Sequence, residues 1–182
     1  MNKISVWRFS GKLFFRILIG SLISLMLSLS VMVVFNNPGG RAICQLLNFS
    51  AAFSLVYLAA WPVGFTDRNR VKYGYSKEDF AKGAKAGALA TLPFMIPSVL
   101  LALAKAGILP GGFLYIFRLL TPVFFPLYYS VFPASQLISE IGIASIAVSF
   151  LLPLVFVAIA GAGYFLGYHD TQLSALFRKN KK

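Results

Sequence analysis

The stretch FLYIFRLLTPVFFPLYYSVFP, residues 113–133, is apolar and long enough to cross a lipid bilayer, yet it holds one arginine, three prolines and eight aromatic rings. Whether it crosses or dips in and returns fixes the side on which the chain ends. Pro122 and Pro126 each remove an amide donor and clash with the preceding turn, which argues against a continuous helix. Tyr115, Tyr128 and Tyr129 suit a water–lipid interface, and Arg118 can extend to it. The expectation is an interfacial or re-entrant segment. A proline-kinked crossing is the alternative, and it would give five spans in place of four.

The surrounding chain reads as membrane protein. It is 182 residues long, 58% hydrophobic and only 12% charged, far from the composition of a soluble domain. Four uninterrupted apolar runs, 13–35, 43–65, 86–108 and 143–167, each meet the roughly 20 residues that cross about 30 Å of hydrocarbon. Only helices can do so, because every backbone amide needs a partner within its own segment. The first run exceeds a signal-peptide core of about 7–15 residues and reads as an uncleaved anchor. The fold class expected is therefore an all-α integral membrane protein: a four-helix transmembrane bundle forming a single multi-pass domain, residues 1–182.

The connections carry their own signals. NNPGG, residues 36–40, is a tight turn between the first two runs. The link 66–85, TDRNRVKYGYSKEDFAKGAK, is charged, and Ser76 followed by Asp79 fits a capping box, so the third helix is expected to begin near Lys77.

Charge supplies the orientation. The formal net charge is +12, and the cations cluster. Lys3, Arg8, Lys12 and Arg16 enter the first run. Arg68, Arg70, Lys72, Lys77, Lys82 and Lys85 fill the 66–85 link, and Arg178, Lys179, Lys181 and Lys182 end the chain. Only Arg41, Lys105 and Arg118 lie elsewhere. The positive-inside rule puts all three clusters on the cytoplasmic face, which requires an even number of crossings between each pair. Four spans satisfy this; a fifth through 113–133 strands the 168–182 tail outside. Both termini are thus expected in the cytoplasm, most simply of a bacterial cell membrane. An internal match agrees: AAWPVGFTD (59–67) and AGYFLGYHD (162–170) share one residue pattern, as two parallel spans from a duplication would.

Chemistry is scarce. One histidine, His169, and one cysteine, Cys44, exclude a multi-histidine metal site, a cysteine cluster and an internal disulfide. The carboxylates Asp67, Glu78, Asp79, Glu140 and Asp170 fall outside the interiors of the runs. His169 and Asp170 are adjacent and expected to point apart. No catalytic, cofactor or metal site is expected. The candidate intramembrane polar contacts are Gln45 and Asn48, on one face of the second run, for which interhelical bonding is the commoner use. Candidate lipid head-group contacts are Arg68, Arg70, Lys72, Arg178, Lys179, Lys181 and Lys182, the last four behind the apolar face Leu173, Leu176 and Phe177. The expected partners are anionic head groups, and another membrane protein or a second copy through the small-residue ridges Gly20/Ser24/Ser28, Gly83/Gly87 and Gly163/Gly167; nucleic acid is not. The function this favours is a non-enzymatic binding, scaffolding or accessory subunit. The alternative is a transporter or permease subunit for a small neutral or anionic solute, with Gln45, Asn48 and prolines 93, 97 and 153 along its path.

Overall fold

A computed structural model of the chain describes residues 5–35, 37–75, 77–110, 113–132 and 138–170. Regular structure among them is entirely helical: α1 (Val6–Val34), α2 (Pro38–Lys72), α3 (Lys82–Lys105), α4 (Phe113–Leu120), α5 (Phe125–Val131), α6 (Ile143–Leu151) and α7 (Leu154–Tyr168). Two 3-10 turns, Pro122–Phe124 and Ile138–Glu140, lie in the connections. Four stretches, three of them α1 to α3 and the fourth α6 with α7, are long and apolar enough to cross a membrane.

Helix ends follow local chemistry. Asn37 caps α2 by accepting from Gly40 N at 2.7 Å, with Pro38 at the first helical position. Helix α2 runs on through the charged residues to Lys72, beyond the expected end at residue 65, because nothing between 66 and 72 breaks it. It stops at Gly74, whose positive φ allows Tyr75 N to reach Arg70 O and Gly74 N to reach Val71 O, the paired bonds of a Schellman stop. Gly107 ends α3 in the same way, donating to Ala104 O while Ile108 N donates to Leu103 O. The start of α3 corrects the sequence reading. The helix begins at Lys82, not near Lys77, and no side chain caps it. Asp79 instead pairs with Lys85 at 3.1 Å, and Glu78 accepts from the Tyr168 hydroxyl at 3.2 Å. Ser76 lies outside the described residues.

The direction of each helix can be read from its contacts. Along α2 and α7, Phe53 meets Phe156 edge-on at 5.8 Å and Arg68 pairs with Asp170 at 3.0 Å. Between those levels, a Cβ added to Gly163 would lie 3.0 Å from the Ala60 Cβ. The partners advance together, so α2 and α7 are parallel. Against α3 the order reverses: Gly83 faces Tyr164, Gly87 faces Val157, and Ser98 donates to Ser149 O at 2.8 Å. Helix α1 is likewise antiparallel to α2, with Gly20 against Ala52 and Ser28 bonded to Asn48.

It follows that α3 ends, and α6 begins, at the same end of the bundle. The segment 113–132 therefore returns to the end of the bundle at which α3 finishes. It folds as α4, a break at Thr121, the 3-10 turn and α5, with Phe117, Tyr128 and Phe132 packed ring against ring. Phe124 reaches both Phe49 and Phe156 at 5.8 Å. Two expectations fail here. Tyr128 is fully buried, because it follows Phe124 and precedes Phe132 by one helical turn each on the core-facing side; Tyr129 is half-buried. Arg118 does not reach out to an interface: only 4% of it is exposed.

The expected small-residue ridges are all occupied within the chain. Ser24 and Ser28 are buried and Gly20 packs on Ala52, while Gly83, Gly87, Gly163 and Gly167 seat α3 and α2 on α7. A partner therefore has to use other surfaces. The tightest seat is reciprocal: a Cβ on Gly64 would stand 2.0 Å from Tyr164 O, and one on Gly167 would stand 2.0 Å from Trp61 O. These residues occupy equivalent places in the two matching nonapeptides, so close parallel packing gives that match a physical reason.

A prediction separates this seat from ordinary helix glycines. Gly64→Ala is expected to destabilise the protein by about 1–3 kcal/mol through overpacking. Gly11→Ala, in α1 with open space around it, is expected to stabilise by roughly 1 kcal/mol through helix propensity. Thermal unfolding of both variants in the same detergent measures the contrast in sign.

Candidate functional site

Proline frees a carbonyl four residues upstream, and in a helix surrounded by hydrocarbon no water takes it up. Both elements broken by proline show what replaces water. Pro153 cannot donate to Ser149 O, and Ser98 Oγ from α3 donates there at 2.8 Å. At the 113–132 segment the side-chain amide of Gln45 enters the backbone ladder. Its Nε2 donates to Val123 O at 2.8 Å, and its Oε1 accepts from Leu127 N at 3.1 Å. An unbroken helix would pair those two groups with each other. Asn48, fully buried, donates to Ser28 Oγ at 2.9 Å and reaches, at 3.4 Å, Pro122 O, which Pro126 cannot donate to and which accepts from Phe125 N. Gln45 and Asn48 thus lie on the face of α2 that carries the broken segment.

Beside this seat, α2 and α5 enclose a groove of about 680 Å³. Its walls include Pro38, Ala42, Leu46, Phe49, Pro126 and Leu127, with Arg41 and Tyr129 also lining it. Two cations approach the Tyr129 ring: Arg118 Cζ is 4.5 Å from its centroid and Arg41 Cζ is 5.7 Å. Arg118 Nε has no hydrogen-bond partner among the described residues.

The opposite end holds a second polar group, which sequence reasoning missed. Asp67 on α2 accepts from Lys82 on α3 and, at 3.1 Å, from the Tyr164 hydroxyl on α7. The ion pair is buried, with side chains 9% and 8% exposed. One signal in the sequence pointed here. Ala52, Val56, Ala60, Val63, Asp67 and Arg70 are all buried and recur at intervals of three and four, so the core-facing stripe of α2 runs straight into its charged end.

That stripe also explains where the expected head-group contacts fall. Arg70 lies on it and is buried, so it is not presented to a lipid surface. Arg68 is partly exposed and paired with Asp170, while Lys72 is exposed. Arg178, Lys179, Lys181 and Lys182 lie outside the described residues, as do Leu173, Leu176 and Phe177. His169 packs on Phe165 and Phe80 while Asp170 turns to Arg68, so the adjacent pair shares no site.

The chain matches no family model, no curated protein and no solved structure.

Two substitutions are expected to rank differently. Asp67→Leu leaves Lys82 as a buried unpaired cation and is expected to cost about 3–5 kcal/mol; the double change Asp67→Leu, Lys82→Met is expected to restore most of it. Gln45→Leu leaves Val123 O and Leu127 N without their partner, at about 1–3 kcal/mol. Reversible unfolding in mixed micelles measures all three.

Proposed function

We propose that the chain is a non-enzymatic integral membrane protein acting as a binding or accessory subunit. Its four long apolar stretches cross the bilayer of a bacterial cell membrane, with the Asp67–Lys82 end in the cytoplasm. The broken segment 113–132 sits within the outer part of the bundle. Membrane placement is supported by the exposed face of α1, where Phe15, Leu18, Ile19, Leu22, Ile23 and Met26 form a continuous apolar surface larger than a water-facing monomer carries. Orientation is supported by the concentration of Arg68, Lys72, Lys77, Lys82 and Lys85 at one end.

The observation that carries the binding role is the use made of the buried polar side chains. Gln45 and Ser98 are bonded to backbone left unpaired at a proline break, and Asn48 ties Ser28 of α1 to α2 beside one. A transport path would call for such groups to face a solute, whereas here they hold the architecture. The lateral groove between α2 and α5, which Gln45 also lines, is open to a ligand.

Purification from native membranes in mild detergent tests this. A stoichiometric membrane partner is the expected result. The reading is overturned if the protein alone, reconstituted in liposomes, moves a small neutral or anionic solute and loses that activity with Asn48→Leu.

A further inference from the structure

The groove between α2 and α5 carries a charge at Arg41 and is mostly apolar along the rest, with Gln45 and Ser130 also lining it. Arg41 lies in the first turn of α2, and Leu46 and Phe49 follow one to two turns further along the same helix, with Leu127 and Pro126 opposite. Against the Tyr129 ring, outside the groove lining, stands Arg118, an arginine only 4% exposed that meets no carboxylate among the described residues. A buried guanidinium without an anion is costly, and a ring face compensates for only part of the lost hydration. Tyr129, which lines the groove, is approached by both Arg118 and Arg41, so the two charges add into one anion-attracting patch.

We propose that this groove binds an anionic phospholipid from the adjoining leaflet, its phosphate held by Arg41, with the charge of Arg118 beside Tyr129 adding to the attraction, and an acyl chain lying along Leu46, Phe49 and Leu127. Guanidinium groups match phosphate oxygens through paired N–H donors, and the groove volume falls in the range of roughly 300–1,000 Å³ common to small-ligand sites. The arrangement selects a lipid over a free anion, because the apolar walls extend well beyond the reach of a phosphate. The N-terminus of α2, with Pro38 at the groove edge, adds its positive dipole end to the same patch. The inference rests on the membrane placement proposed above.

Native mass spectrometry of the delipidated full chain, titrated with dioleoylphosphatidylglycerol, dioleoylglycerol and inorganic phosphate, tests it. The phosphatidylglycerol is expected to bind and the other two are not. Arg41→Gln is expected to weaken binding roughly tenfold, the scale of one charge-assisted hydrogen bond, and Arg118→Met to weaken it by a smaller factor through the lost charge. Leu46→Trp, at a well-exposed position, is expected to weaken it while leaving both charges in place, which keeps the test open should Arg118→Met fail to fold. Wild-type affinity in the Arg41→Gln and Leu46→Trp proteins overturns the proposal. Equal binding of dioleoylglycerol removes the phosphate contact, and equal binding of inorganic phosphate removes the lipid; either result overturns it too. Failure of the membrane placement itself shows separately, as recovery of the full chain from cells without detergent.

Discussion

A proline in an apolar helix takes a donor away from a carbonyl, and side chains from other helices in this protein meet that demand. Ser98 takes the carbonyl freed at Pro153, Gln45 bridges the gap between Val123 and Leu127, and Asn48 adds a longer contact to Pro122 O, which also accepts from Phe125 N. Each bond crosses from one helix to another, so the breaks become points of attachment. Two amides one helical turn apart on α2 position the whole 113–132 segment, and the aromatic rings of Phe117, Phe124, Tyr128 and Phe132 fill the space the returning chain encloses. Non-helical backbone at membrane depth is stable only when buried in protein in this manner. The same seat sets the floor of the groove that we assign to a lipid.

The other end of the bundle is held differently. Helices α2 and α7 approach so closely at Gly64 and Gly167 that each glycine lies against a carbonyl of the opposite helix. Beyond that crossing, Asp67 ties α2 to Lys82 of α3 and Tyr164 of α7. One end is thus fixed by amides bonded to backbone, the other by an ion pair and backbone contact. The two ends also differ in charge: at the Asp67 end three carboxylates meet three cations in Arg68–Asp170, Lys82–Asp67 and Lys85–Asp79, whereas beside the groove Arg118 faces a ring.

Much of the architecture was legible in the sequence. Apolar run length located the four long stretches, and counting cations together with Pro122 and Pro126 indicated a returning segment before any contact was known. The nonapeptide match pointed to parallel α2 and α7. Helix ends were less legible, because α2 and α3 stop at Schellman glycines 74 and 107, not where hydropathy falls. The start of α3 was misread because Asp79, three residues after Ser76, looks like a capping-box partner locally but is engaged by Lys85. Asp67 and Arg70 were read as solvated loop because they are charged; their register on a buried stripe was the contrary signal. Arg118 could not have been placed from sequence at all. Its burial depends on how α4 folds back on α5, a tertiary fact without local signature.

The central claim is that 113–132 returns to the end at which it began. In a Cys44→Ser background, single cysteines at Tyr75, in the exposed connection between α2 and α3, and at Glu140, exposed just before α6, report the two ends directly. With an impermeant thiol reagent, the Glu140→Cys protein is expected to label on intact cells and the Tyr75→Cys protein only after lysis. Labelling of both positions from the same side of the membrane would mean that the segment crosses, and would contradict the account.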